Sequence, residues 1–396
     1  MNIITGEGAT STPRFMLKIG EKDVTDKINR RLISLTMTDE KEFLADTLEI
    51  VLDDSDGLVE LPERGVVVSL YLGWLDHVNA WLKKGSFIVD QVSHTGAPDN
   101  VTITARSIDF RQKFSTTYEH SWHDTTVGDI VSTIAERNSL SAIIADSLKS
   151  IPVSHIDQSK ESDIAFLTRL GDLHGGRMLV KDGMLLMLET GSAVDASGKP
   201  LPQRVIQRRS GDGHTFVISD RGFYTGVIAR WLDTKNPKQN QQVNIERKAK
   251  AQTSQTVQHP NAKAVSAQTA AKKQKEQEIK YAEYMSGAPA KPLMLEKIYA
   301  SQTQAEQAAE SYWKQLQRRT VKFTIVLARG DESFSTEMVV RVSGFKKIID
   351  EQSWLVNKLT HKIDQNGFVT TVELELNNAD LEYVIKESES KDIPKK

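Results

Sequence analysis

The chain has 396 residues, 39% of them hydrophobic and 26% charged, and its 51 Lys plus Arg against 53 Asp plus Glu leave a formal net charge of -2. That balance excludes a strongly basic nucleic-acid binder at whole-chain level and an acidic disordered chain. Cysteine is absent, so disulfides, Cys-ligated zinc, iron–sulfur clusters and thiol catalysis are excluded, and packing alone must hold the two to four domains this length allows.

Met1 to Thr12 has neither a basic n-region nor an apolar h-region, and no later apolar run is long enough to span a membrane. A soluble product without a secretion signal is expected. The first third reads as strands: Leu32 to Thr38, Leu48 to Leu52, Val66 to Leu72, Phe87 to Val92 and Val101 to Ala105, an antiparallel meander. The period then changes. Val127, Ile130, Val131 and Ile134 follow Thr126 with Asp129 three residues on, which predicts a capped amphipathic helix. Ser162 can cap a second helix carrying Ile164, Phe166, Leu167 and Leu170, with Gly175-Gly176 as its stop. Met178 to Val180 and Met184 to Leu188 face each other across Asp182-Gly183, a strong hairpin signal.

Gly211-Asp-Gly213-His214 reads as a turn, and Tyr224 to Leu232 as a further strand. From Glu246 to Lys291 nine Lys or Arg stand against four Glu, with few apolar residues. Such a stretch cannot bury enough surface to offset its ordering entropy, so a mobile, solvated loop is expected rather than a nucleic-acid contact. A helix is predicted over about 304–318, with Thr303 and Glu306 as a capping box. Strands resume at Val321 to Leu327, Met338 to Val342, Ser353 to Leu359 and Phe368 to Leu376.

The most informative feature is a repeat. Phe87-Ile-Val89-Asp90-Gln-Val-Ser-His94 and Trp354-Leu-Val356-Asn357-Lys-Leu-Thr-His361 match in residue type at all eight positions. Neighbouring strands match in the same order: Leu48 to Leu52 with Phe323 to Leu327, Val67-Val68 with Val339-Val340, and Gly73-Trp74 with Gly344-Phe345. On this alignment Leu32 to Thr38 answers Tyr224 to Leu232. The expected fold is therefore α+β and mainly β, with two similar antiparallel β-barrel domains and a small α+β domain between them. The divisions are 13–118, 119–222 and 223–380, with a flexible basic insertion at about 241–292 and a charged tail at 381–396. Duplicated domains suit a trimer with six similar positions.

Chemistry is sparse. His120-Ser-Trp-His123-Asp124 lacks the further ligands a metal needs, and Leu52 to Glu63 imitates a calcium loop whose first position is Leu. No nucleophile-elbow, zinc-protease, Walker or Rossmann pattern is present. No catalytic, cofactor or metal residue is assigned. A carboxylate pair acting on peptidoglycan is the alternative, since its spacing exists only in three dimensions.

Glu161-Ser-Asp-Ile-Ala-Phe-Leu-Thr-Arg-Leu-Gly-Asp-Leu-His-Gly175, with the hairpin at Lys181-Asp-Gly183, resembles a segment shared by tail hub proteins and the first part of secretion spike proteins. Ser343-Gly-Phe345 through Trp354-Leu-Val356, His361 and Gly367-Phe368-Val-Thr370 resembles the closing strands of the late control D family, the baseplate hub of contractile phage tails. The resemblance implies a homotrimer whose paired barrels form a pseudo-hexameric ring between sixfold tail tube and threefold spike, open for DNA ejection. The implied partners are a separate spike chain, a tube or tube-initiator protein, baseplate wedge proteins and a tape-measure protein in the lumen. Neither sequence-specific nucleic acid nor membrane insertion is implied. The implied location is the virion baseplate, assembled in the host cytoplasm; a tail-like bacteriocin or injection device would use the same hub.

Overall fold

Alternation at period two builds the N-terminal third. In the computed structural model, which describes residues 12–41, 45–75, 81–107, 114, 116–181, 183–189, 199, 203–218, 224, 226–232, 240–247, 292–299, 301–377 and 383–389, seven strands come first. They are β1 (Pro13–Ile19), β2 (Lys22–Asp23), β3 (Leu32–Glu40), β4 (Thr47–Asp53), β5 (Val67–Trp74), β6 (Leu82–Thr95) and β7 (Asn100–Ser107). Every second residue points inward, so Leu35, Met37, Leu48, Ile50, Leu70, Leu72, Phe87, Val89 and Val101 make one core.

The middle segment holds β8 (Thr117–Thr126), a helix Val127–Arg137, β9 (Ser141–Ile144), β10 (Pro152–Ser162), a helix Asp163–His174, β11 (Gly176–Lys181) and β12 (Met184–Glu189). Both helices start where the sequence puts a cap: the Thr126 side chain accepts the Asp129 N–H, and Ser162 accepts that of Ala165. The second ends at Gly175, whose φ of 72° needs a residue without Cβ. β11 and β12 pair around Gly183, and β9 adds parallel to β12. Ile130, Ile134, Phe166, Leu170, Leu185 and Met187 close the core between helices and hairpin.

The rest of the chain contains β13 (Arg204–Gln207), β14 (Gly211–Ile218), β15 (Gly226–Leu232), β16 (Asn240–Arg247), β17 (Pro292–Tyr299), a helix Gln302–Thr320, β18 (Val321–Leu327), β19 (Val339–Ser343), β20 (Trp354–Asp364), β21 (Gly367–Leu376) and β22 (Tyr383–Glu389). β13, β14 and β18 to β21 join the first seven strands in a 13-stranded sheet, while β17-β15-β16-β22 form a separate one. The helix Gln302–Thr320 lays Ala305, Ala308, Ala309 and Trp313 on Val227, Ala229, Val243 and Ile245 of that smaller sheet.

The sequence-based expectations need five corrections. The strand β14, which begins at Gly211 and precedes the expected boundary at 222, occupies the place assigned to Tyr224 to Leu232, and β15 sits in the smaller sheet instead. Residues 240–247 of the supposed insertion are strand β16, because Val243 and Ile245 bury completely under the helix; residues 248–291 lie outside the described residues. The helix begins at Gln302 with Ser301 as its cap, not at a Thr303–Glu306 box. Residues 383–389 of the supposed tail pair antiparallel with β16. Finally, the large sheet stays open: among the described residues no pairing closes either half into a barrel. No helix among them is long and apolar enough to cross a membrane.

Candidate functional site

Two halves of the large sheet repeat one another strand for strand. The first runs β3-β4-β7-β6-β5 and the second β14-β18-β21-β20-β19, every contact antiparallel. Registers agree to the residue. Val68 lies opposite Phe87, and Val340 opposite Trp354. A bulge falls at Asp90 in β6 and at Asn357 in β20; a second falls at Ile33 in β3 and at Asp212 in β14. Before Val89 the chain turns through Gly65 with φ 88°, and before Val356 through Glu337 with φ 68°; each donates its N–H to the valine it faces, at 2.8 and 2.9 Å. Of the six repeat positions, Phe87, Val89, Trp354, Val356 and His361 are buried, whereas the side chain of His94 is 45% exposed.

The halves are fused at one seam. β20 pairs with β3 from Lys358 opposite Glu40 to Asp364 opposite Ser34. Trp74 crosses to the second half, donating its Nε1–H to the Gly330 carbonyl at 2.9 Å and packing 5.5 Å from Phe368, while the Arg329 guanidinium sits 4.4 Å over its ring. Lys84 Nζ donates to the carbonyls of Glu332 and Phe334 at 3.1 and 2.9 Å.

All three segments meet at a polar cluster beside the seam. Arg177 of β11 donates to Glu375 Oε1 at 2.6 Å and to Glu337, and Lys41 donates to Glu375 Oε2 at 2.9 Å. Burial pushes the Glu337 carboxyl above its ordinary range despite Arg177. Burial pushes Glu375 the same way, but the charges of Arg177 and Lys41 outweigh it and hold that carboxyl down. The sequence carried little signal for this cluster, since its members lie up to 334 residues apart.

Burial also lowers His174 to about 4 and takes His361 well below its usual range, where the Lys84 charge adds and Asp39 opposes. His361 Nδ1 faces Thr370 Oγ1 at 2.9 Å while its Nε2 is buried without a partner. Both imidazoles bind fewer protons folded than unfolded, so their contribution is complete above pH about 6.5 and is lost as pH falls below it. For His174 alone that is about 3 kcal/mol by pH 4, at about 1.36 kcal/mol per pK unit. Glu337 acts in the opposite sense above pH about 4.5, so single variants isolate the histidine part. His174→Gln and His361→Gln are each expected to flatten the fall in melting temperature between pH 7 and 5. Unchanged pH profiles would show that neither ring is held neutral.

Among the described residues no group of three or more His, Cys, Asp or Glu is arranged to hold a metal ion. His123 stacks on His155 at 4.6 Å, and Asp157 is 3.1 Å from the His155 ring. In the calcium-like loop Arg31 forks onto both Asp56 oxygens at 2.6 and 2.7 Å, filling the carboxylate.

The duplicated, register-matched β-sheet flanking a small α+β unit is a fold shared with solved structures of tail proteins. The chain superposes on the 43 kDa tail protein of prophage MuSo2 from Shewanella oneidensis with a TM-score of 0.60 at 12% identity, covering 93% of this chain and 98% of that one. A tail protein from Neisseria meningitidis gives 0.59 at 12% identity, with 93% and 97% covered. These likenesses concern the fold. In sequence, residues 59–367 match the family model described as phage tail baseplate hub (GPD). The probable baseplate hub protein of Escherichia phage 186 is 53% identical over 377 residues, 95% of this chain and 96% of that one. That of Escherichia phage P2 is 48% identical over 383 residues, 96% and 98%. The chain belongs to the phage tail baseplate hub family.

Proposed function

We propose that this hub acts as a homotrimer whose six sheet copies form a near-sixfold ring, adapting a sixfold tail tube to a threefold spike around a channel for DNA ejection. Each chain then contributes two tube-type domains, one built on β1 to β7 and the other on β13, β14 and β18 to β21, with the α+β unit as the outer brace. The spike, a tube or tube-initiator protein, wedge proteins and a tape-measure protein are its partners, in the baseplate of a contractile tail assembled in the host cytoplasm. The role is structural, not enzymatic. The single observation that supports this reading is the pair of copies with one strand order, one register and the same two bulges. Two such copies per chain make six equivalent positions only when three chains meet.

Native mass measurement of the purified protein, alone and with a tube protein, is expected to give three chains. Class averages should show six similar lobes. A stable six-chain ring, or a ring without near-sixfold inner symmetry, would overturn the reading. A lytic band in a zymogram would favour a peptidoglycan hydrolase instead.

A further inference from the structure

The seam inside the chain has a counterpart that one chain leaves unfilled. At the inner seam the C-terminal half of β20 takes β3, the first strand of the other copy. In the first copy the strand equivalent to β20 is β6. Beyond its bulge at Asp90, β6 pairs with β7 and, among the described residues, with nothing on its other edge. The first strand of the second copy is β14, which pairs with β18 and likewise keeps one edge unpaired. Open edges of this kind are templates for another strand. These two edges are separated by six strands, or roughly 34 Å along the sheet at about 4.8 Å per step.

Burial follows the same logic. Leu359 and His361, buried in β20 by the inner seam, correspond to Val92, half-buried, and His94, exposed. Leu35 and Met37, buried in β3, correspond to His214, exposed, and Phe216, half-buried. The connection from β18 to β19, which Trp74 and Lys84 cover at the inner seam, corresponds to the connection from β4 to β5. There Leu58 and Leu61 stand 72% and 58% exposed. At each of these compared positions the twin is more exposed than the residue at the inner seam.

We infer that β14 of one chain adds antiparallel to the C-terminal half of β6 in the next chain, repeating the inner seam across the subunit boundary. Transferring the inner register through the matched bulges sets Val92 opposite Ile218, Ser93 opposite Val217, His94 opposite Phe216 and Thr95 opposite Thr215. The partner is a second copy of this chain, so the inference rests on the trimer reading and specifies its interface.

The absence of native cysteine makes the test clean. Adjacent antiparallel pairs alternate between closer and wider spacing, so two neighbouring pairs are made: Ser93→Cys with Val217→Cys, and Val92→Cys with Ile218→Cys. The equivalent inner pair, Thr38→Cys with Thr360→Cys, serves as an intrachain control. After mild oxidation, at least one of the two outer double variants is expected to run as covalent dimers and trimers on denaturing gels, and the corresponding single variants as monomers. Native mass is recorded on the same samples before oxidation. A native trimer whose outer variants stay uncrosslinked, or close within one chain, while the control oxidises, overturns the seam and leaves the trimer standing. A folded monomer at every concentration, with and without tube protein, overturns the trimer reading and the seam with it.

Discussion

Val89→Asp and Val356→Asp are each expected to prevent stable folding, lowering stability by several kcal/mol. Both side chains are almost wholly buried, Val89 at 2% and Val356 at 0% exposure, and each lies on the core side of its strand immediately before the bulge. An aspartate there enters the apolar core that also holds Phe87 and Leu70 in the first copy, or Trp354 and Phe323 in the second. An unpaired charge in such a core costs on the order of several kcal/mol even when it escapes by taking up a proton. Thermal melts beside the parent protein would check it. A fold that survives Val356→Asp but not Val89→Asp would mean that the two copies are not energetically equivalent. At the bulge itself Asp90 is solvent-facing and pairs with Arg106 at 2.8 Å, so Asp90→Ser serves as the mild control.

Arg177→Met is expected to cost about 3–5 kcal/mol, because it leaves the buried carboxylates of Glu337 and Glu375 without their shared direct partner, only Lys41 on Glu375 and the Arg318 charge near Glu337 still opposing them. The pH dependence gives a second reading. Removing the cation raises both carboxyl groups, so the folded variant binds more protons than the unfolded chain around pH 5. Its deficit against the parent should therefore shrink on acidification from pH 7 to 5. Adding Glu337→Gln and Glu375→Gln to the variant should recover part of the loss at pH 7. A melting temperature for Arg177→Met that stays at the parent value at both pH values would show that the cluster does not tie the middle segment to the seam.

Glu337 departs from local backbone preference where its counterpart does not. Its counterpart Gly65 takes a positive φ without a side-chain penalty, while Glu337 holds the same region at φ 68° with a Cβ present. In the second copy the Glu337 carboxyl meets Arg177, a contact that Gly65, without a side chain, does not make.

Much of this protein was determined locally. The caps at Thr126 and Ser162, the stop at Gly175, the hairpin at Gly183 and the alternation of β4 to β7 and β18 to β21 all depend on residues within a few positions of one another, so the sequence alone carried them. The matched octets share one alternation in sequence, but burial follows it to the end only in the second, where His361 is buried while His94 is exposed. Tertiary structure decided what depends on distant edges. β14 looks like a turn in sequence because its bulge at Asp212 breaks the alternation, and it becomes a strand only because β18 offers an edge. β16 becomes a strand because a helix covers its Val243 and Ile245, and β22 because β16 offers it an edge. Arg177, Glu337, Glu375 and Lys41 meet only after three segments have packed, since a buried charge can be satisfied by any partner the fold brings within reach, however far away in the chain.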